Sequence, residues 1–148
     1  MGQLTYLLDT NVLSEPLASV PNPNLLAQIA RHSDRIALSA VSWQEMLIGM
    51  YRLPPSRRRA QVEHYLHTRL RGVLPILPFD EGAASWQAEE RARLAAQGRP
   101  PAYADSQIAA IAAVNRLVLV TRNTHDFADF RDLRLEDWFS LPVPHDAS

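Results

Sequence analysis

The feature that most constrains this chain is an apolar run that stops at a charge. Leu4-Thr5-Tyr6-Leu7-Leu8 is followed directly by Asp9, Thr10 and Asn11. A short, continuous apolar run is the signature of a strand buried inside a parallel sheet. A carboxylate at its end stands at the carboxyl edge of that sheet, where open α/β folds bind their ligands. Asp9 also reads as the cap of a following helix. Taken alone, the residue supports either role.

The rest of the chain repeats the strand–helix alternation that makes an α/β fold. Prolines 16, 21 and 23 break the segment after Asn11 into a loop with one helical turn. Asn24 is placed to cap a helix from Leu25 to His32, with Leu25, Leu26 and Ile29 inward. Arg35 to Leu38 gives a second strand, and Ser39 opens a helix to Arg52 whose apolar side is Val41, Met46, Leu47, Ile48 and Met50. Ser42 and Glu45 have capping-box spacing, but Ser39 is the better start. A second helix, Ser56 to Leu70, follows a short Pro-Pro link, so the two form an antiparallel hairpin. Gly72 stops it, and a third strand lies within Val73–Leu77, where Pro75 requires a sheet edge or a strand start. A long helix runs from Phe79 or Asp80 to Gln97 and stops at Gly98. The extended Gly98-Arg99-Pro100-Pro101 link is then expected to carry the chain back to the carboxyl edge. A helix from Tyr103 to Asn115 follows, with Ile108, Ala109, Ile111 and Ala112 buried. Leu117–Val120 is a strong strand, Asn123 caps a short helix, and Leu133–Leu135 forms a last edge strand. The expected organisation is one domain over residues 1–141 and a flexible tail over 142–148.

Composition narrows the chemistry. With 148 residues and 47% hydrophobic content the chain can bury a proper core. It has no cysteine, so a metal would take oxygen or imidazole ligands, which favours hard cations. Its net charge of −1 is unlike a nucleic-acid-coating protein. All 15 basic residues are Arg, which excludes any mechanism that needs a lysine. No stretch is long enough to span a bilayer, and no signal peptide pattern begins the chain; a soluble, cytoplasmic protein without membrane association is expected. Arg57-Arg58-Arg59, Arg69 and Arg71 read first as a solvated face and second as a phosphate-contacting surface; His64 and His67 read as surface residues.

Asp9, Glu45, Asp105 and Asp126 each fall at the carboxyl end of a strand or at the start of the adjacent helix. Each alone has a capping or helix-dipole explanation. Together they converge on one crevice, where four carboxylates repel one another unless a cation sits among them. An all-oxygen donor set points to Mg²⁺ or Mn²⁺, and the chemistry suited to such a site is phosphodiester hydrolysis.

Four segments carry a family resemblance: Leu7–Glu15, Ser39–Glu45, Tyr103–Ala110 and Thr121–Phe127. In order and spacing they resemble the motifs of PIN-domain nucleases, and more closely the VapC/FitB toxins of bacterial toxin–antitoxin pairs; Gly98-Arg99-Pro100 resembles that subgroup as well. The resemblance implies a three-layer α/β/α fold with a central, mostly parallel sheet of about five strands. It implies a homodimer with Mg²⁺- or Mn²⁺-dependent endoribonuclease activity on RNA, and a small antitoxin that alone contacts operator DNA. By position, Asp9 and Asp105 would be direct metal ligands, and Glu45 and Asp126 would complete the cluster directly or through water. Thr10, Asn11, Thr121 and Asn123 would orient carboxylates and water. Arg99 would contact substrate or antitoxin. Two rival readings remain at this level. One is phosphoryl transfer through an aspartyl phosphate on Asp9, against which the absence of lysine counts. The other is a non-catalytic, partner-binding dimer of the same fold.

Overall fold

The computed structural model describes residues 3–140, so the expected 142–148 tail lies outside the described residues. Five strands form a parallel sheet: β1 (Tyr6–Leu8), β2 (Ile36–Ser39), β3 (Ile76–Leu77), β4 (Val118–Val120) and β5 (Leu135–Glu136). Their order is β3-β2-β1-β4-β5, which puts the Asp9 strand in the middle. Leu7 pairs with Ala37 on one side and Leu119 on the other, and Leu8 pairs with Val120. The order reverses between β1 and β4, so the crevice beyond their carboxyl ends is the topological switch point.

Alternation along β1 divides the core in two, since successive strand side chains face opposite ways. Leu7, Ala37 and Leu119 join one cluster with Ala83 and Leu94 of α5 (Glu81–Ala96) and Ile108 to Ala112 of α6 (Tyr103–Val114). Leu8, Ile36, Leu38 and Val120 join the other, with α1 (Thr10–Ser14), α2 (Pro23–Arg31), α3 (Ala40–Tyr51) and α4 (Arg57–Tyr65). The result is the expected three-layer α/β/α arrangement. The short α7 (Thr124–Phe127) follows β4 at the carboxyl edge.

Local chemistry sets most boundaries. Ser39 caps α3 by accepting from the Ser42 amide at 2.9 Å, so the helix starts there and Ser42 is free for another use. Ser56 and Asp80 cap α4 and α5 in the same way. Gly72 and Gly98 follow helix ends with φ of 78° and 73°, a conformation that glycine adopts without strain. The hairpin of α3 and α4 is antiparallel: Trp43 meets His67 edge-on at 6.1 Å, and Arg59 lies over the Tyr51 ring. Helix α4 continues through a wider π-type turn over Leu66–Leu70.

Several expectations are corrected. Helix α2 is capped by Asn22, not Asn24, because Pro23 fits the first helical position, where no amide hydrogen is needed. Leu26 and Ile48 point to solvent rather than inward, at 38% and 39% exposure. The segment after Asp9 is more ordered than a loop: α1 starts at once and continues as a 3₁₀ turn over Glu15–Leu17. Asn123 precedes α7 but makes no side-chain cap bond. Gly98–Pro101 does not carry the chain across the fold. Gln87 and Arg91 of α5 hydrogen-bond to Ser106 of α6, and Arg91 also reaches Pro101, so the two helices are antiparallel and the link is only their turn. Leu94 and Arg99 already line a cavity with Asp105, so α5 ends at the carboxyl edge.

Candidate active site

Asp9 extends the β ladder by one residue, its amide donating to the Val120 carbonyl at 2.9 Å. Its side chain is then fixed at both oxygens. The Thr10 amide donates to Oδ1 at 2.8 Å, which also makes Asp9 the cap of α1. Thr121 Oγ1, directly after β4, donates to Oδ2 at 2.8 Å, and Asn11 Nδ2 approaches Oδ2 at 3.4 Å. Asp9 is only 6% exposed and Thr121 is fully buried. Both original readings of Asp9 are therefore true at once, because the cap uses one oxygen only.

The other acids arrive from separate elements. Glu45 lies on α3, where Thr10 Oγ1 is 2.7 Å from its Oε1 and 2.8 Å from Ser42 Oγ. Asp105 lies in the first turn of α6, and Asp126 in α7. Asp9, Thr10, Asn11, Glu45, Asp105, Asn123 and Asp126 line one open cavity of about 300 Å³. Thr121 lies beneath it, and Asn123 connects to it through its amide, which donates to Thr121 Oγ1 at 3.1 Å. The Asn11 Oδ1 accepts from the Arg122 amide at 3.2 Å, tying α1 to the loop after β4. Arg99 lines the neighbouring cavity, which shares Asp105 and Asp126.

The electrostatics follow from this placement. Burial pushes the Asp9 carboxyl above its ordinary range; the bonds from Thr121 and Thr10 oppose this, and the charges of Glu45 and Asp126 add to it. Asp105 is pushed up to about 6, first by burial and then by Asp9, Asp126 and Glu45. Among the described residues, no three acidic, imidazole or thiol groups are gathered tightly enough to enclose an ion as they stand. The four acids instead face a shared space, as like charges do when nothing offsets them. The donor chemistry is all oxygen and no sulfur, which fits a hard divalent cation.

Sequence reasoning missed Ser42, whose hydroxyl supports Thr10. Once Ser39 is taken as the cap, a buried serine on the next helical turn has to find a partner elsewhere. It also missed Ser106, which accepts from Gln87 at 2.9 Å and holds the start of α6 against α5. Asp129 was missed as well; it pairs with Arg99 at 2.7 Å.

An all-parallel α/β/α sheet with an acidic, oxygen-lined crevice at its switch point defines a class of hard-cation sites. The chain belongs to the PIN domain family, whose model matches residues 6–133, and within it to the VapC/FitB type. It is 37% identical over 128 residues to Toxin FitB of Neisseria gonorrhoeae, covering 82% of this chain and 89% of that protein. It is 30% identical over 136 residues to the tRNA(fMet)-specific endonuclease VapC of Shigella flexneri, covering 91% and 98%. The structure of FitAB bound to an IR36 DNA fragment superposes with a TM-score of 0.85 at 30% identity, covering 95% of this chain and all of that one. The DNA-bound VapBC structure from Salmonella typhimurium superposes with a TM-score of 0.79 at 30% identity, covering 92% and 99%.

Proposed function

We propose that this protein is a divalent-metal-dependent endoribonuclease and the toxin of a toxin–antitoxin pair. The observation that carries the reading is the convergence of Asp9, Glu45, Asp105 and Asp126 on one cavity at the switch point. The printed names of FitB and VapC support it.

Asp9 and Asp105 would hold the cation directly, and Glu45 and Asp126 would hold it directly or through water. When bound, Mg²⁺ or Mn²⁺ supplies an activated water and offsets the charge of a phosphate. The chain's own contribution is to keep its donors in place. Thr121 and the Thr10 amide leave Asp9 with no rotational freedom about its carboxylate. Thr10, backed by Ser42, holds Glu45 towards the cavity. Asn11 and Asn123 line the same wall and complete the polar rim. Such support matters because outer partners of ligands typically change affinity or activity 10–100-fold.

The solved relatives are FitAB and VapBC complexes, two of them bound to DNA fragments. By that likeness this chain would form a homodimer, bind a small antitoxin, and reach operator DNA only through it. Its single domain would span residues 1–141. No described helix is long and apolar enough to cross a membrane, and a cytoplasmic location suits an RNA substrate.

The test is RNA cleavage by purified protein with Mg²⁺, with EDTA, and with the co-expressed partner from its own operon. Cleavage that needs metal and is suppressed by a small partner protein supports the reading. A stable phosphoenzyme on Asp9, or no action on RNA under any of these conditions, would overturn it.

A further inference from the structure

Beside the acidic cavity lies a second one, of about 450 Å³. The two share Asp105 and Asp126, so a strand laid across the acids would run on into it. Its walls differ in character from the first. Pro100, Pro101, Leu94 and Phe130 give it flat apolar surface, and Arg99 supplies a guanidinium at its side. That guanidinium is held rather than free. Arg99 Nη1 pairs with Asp129 at 2.7 Å, and Nη2 bonds to Gln97. Asp129 is itself anchored, because Arg93 of α5 donates to its carbonyl at 2.8 Å. Arg93 is in turn fixed by the buried Glu90, which also accepts from the Arg131 amide at 2.7 Å. Two of the five guanidinium donors are used, leaving three for an anion. The Arg99–Asp129 pair is half-exposed, with side-chain exposures of 50% and 52%. Such pairs are worth little, so an incoming phosphate can share the guanidinium without a large loss.

We infer that this second cavity is a nucleotide subsite: it takes one unpaired nucleotide of the RNA next to the scissile bond, its phosphate on Arg99 and its base against Pro100 and Pro101. The inference rests on the nuclease reading and adds where the strand goes. Recognition of RNA commonly works through unstacked bases laid on flat side chains. The volume lies within the range of small-molecule sites. The apolar wall distinguishes the cavity from a mere extension of the acidic cluster, which would repel a phosphate.

The experiment measures binding of a short, fluorescently labelled single-stranded RNA to an Asp9→Asn parent, which cannot cleave it, at several salt concentrations. Three variants are made in that background: Arg99→Ala, Arg99→Lys and Ala102→Trp, the last filling the cavity from an exposed position on its wall. Arg99→Ala should weaken binding about tenfold and make the salt dependence shallower by about 0.7, the value of one lost phosphate contact on a single strand. Arg99→Lys should keep the slope. Ala102→Trp should weaken binding to a similar extent with the slope unchanged. Thermal midpoints identify any variant that fails to fold, and Arg99→Ala, being a surface change, then carries the test. If Arg99→Ala and Ala102→Trp bind within twofold of the parent, the subsite is wrong while the nuclease reading stands. If the parent does not bind this RNA although the unsubstituted protein cleaves RNA, the subsite is again wrong. If nothing binds and nothing is cleaved, the nuclease reading falls and the subsite with it.

Discussion

Two carboxylates in this molecule are equally hidden and oppositely treated. Glu90 is 4% exposed and Asp9 is 6% exposed. Glu90 has a cation: Arg93 grips it with bonds of 2.7 and 2.8 Å, and the Arg131 amide adds a third. Its carboxyl is held below the ordinary range, chiefly by the Arg93 bonds. Asp9 has only neutral donors, and its carboxyl is pushed up by burial. One acid is finished as part of the fold. The other is fixed in position with its charge left over, and three further acids share its cavity. The difference teaches what a structural acid and a site acid look like in the same protein. Perturbed acids gathered in a cleft mark function more often than packing.

The comparison can be broken from either side. The largest effect is expected from Asp9→Asn, which keeps the shape and removes the charge. Metal-dependent cleavage should fall by about a thousandfold or more, the scale of removing a central catalytic group, while the thermal midpoint holds or rises. The mirror change, Glu90→Gln, should do the opposite: activity stays within a few-fold, and chemical denaturation shows a loss of about 2 kcal/mol, the worth of hydrogen bonds to a charged group. A midpoint that drops in Asp9→Asn and holds in Glu90→Gln would reverse the roles assigned here.

Next in size is Thr121→Val, which removes the buried donor to Asp9 Oδ2 but leaves the charge. Cleavage should fall about 10–100-fold, as for other partners that orient ligands, with weaker Mg²⁺ dependence showing as a raised metal requirement.

The pH dependence separates the two acids again. Asp105 has a folded-state value of about 6, above its ordinary 3.8, so its contribution to stability is present below 3.8 and is lost as pH rises through 6. Glu90 is depressed below 4.5, so its contribution is present above 4.5 and is lost as pH falls through its lowered value. Melting of metal-free protein between pH 4 and 7 should therefore flatten on the alkaline side in Asp105→Asn and on the acid side in Glu90→Gln. Cleavage should decline below pH 6, where Asp105 takes a proton and ceases to be a charged donor. The smallest effect is expected from Asn123→Ala. Its side chain makes no cap bond, so stability should change by less than about 0.5 kcal/mol.

Much of the fold was legible because local chemistry announces it. Ser39, Ser56 and Asp80 cap helices as their residue types suggest, and the apolar runs at Leu7-Leu8 and Val118–Val120 sit at the centre of the sheet. The failures came where two local signals compete or where the partner is distant. Asn22 and Asn24 both suit a cap, and Pro23 decides between them only once its position in the first turn is known. Leu26 and Ile48 fit an apolar stripe, but no neighbouring element covers them. Trp138 is almost fully buried against Tyr6 and His32, contacts that no local pattern near the chain's end could reveal. The site divides in the same way. Four acids at helix starts and strand ends are readable from topology. The Thr121–Asp9 bond, between residues 112 apart, and the Thr10–Ser42 contact are not.

The claim that matters most is that Asp9 and its neighbours lack a cation because they are built to take one. Mn²⁺ titration followed by electron paramagnetic resonance measures this without any RNA. At pH 7.5 the unsubstituted protein should bind Mn²⁺ stoichiometrically, Mg²⁺ should compete it off, and Asp9→Asn or Asp105→Asn should abolish the binding while Glu90→Gln leaves it intact. Equal Mn²⁺ binding in the unsubstituted, Asp9→Asn and Asp105→Asn proteins would contradict the account.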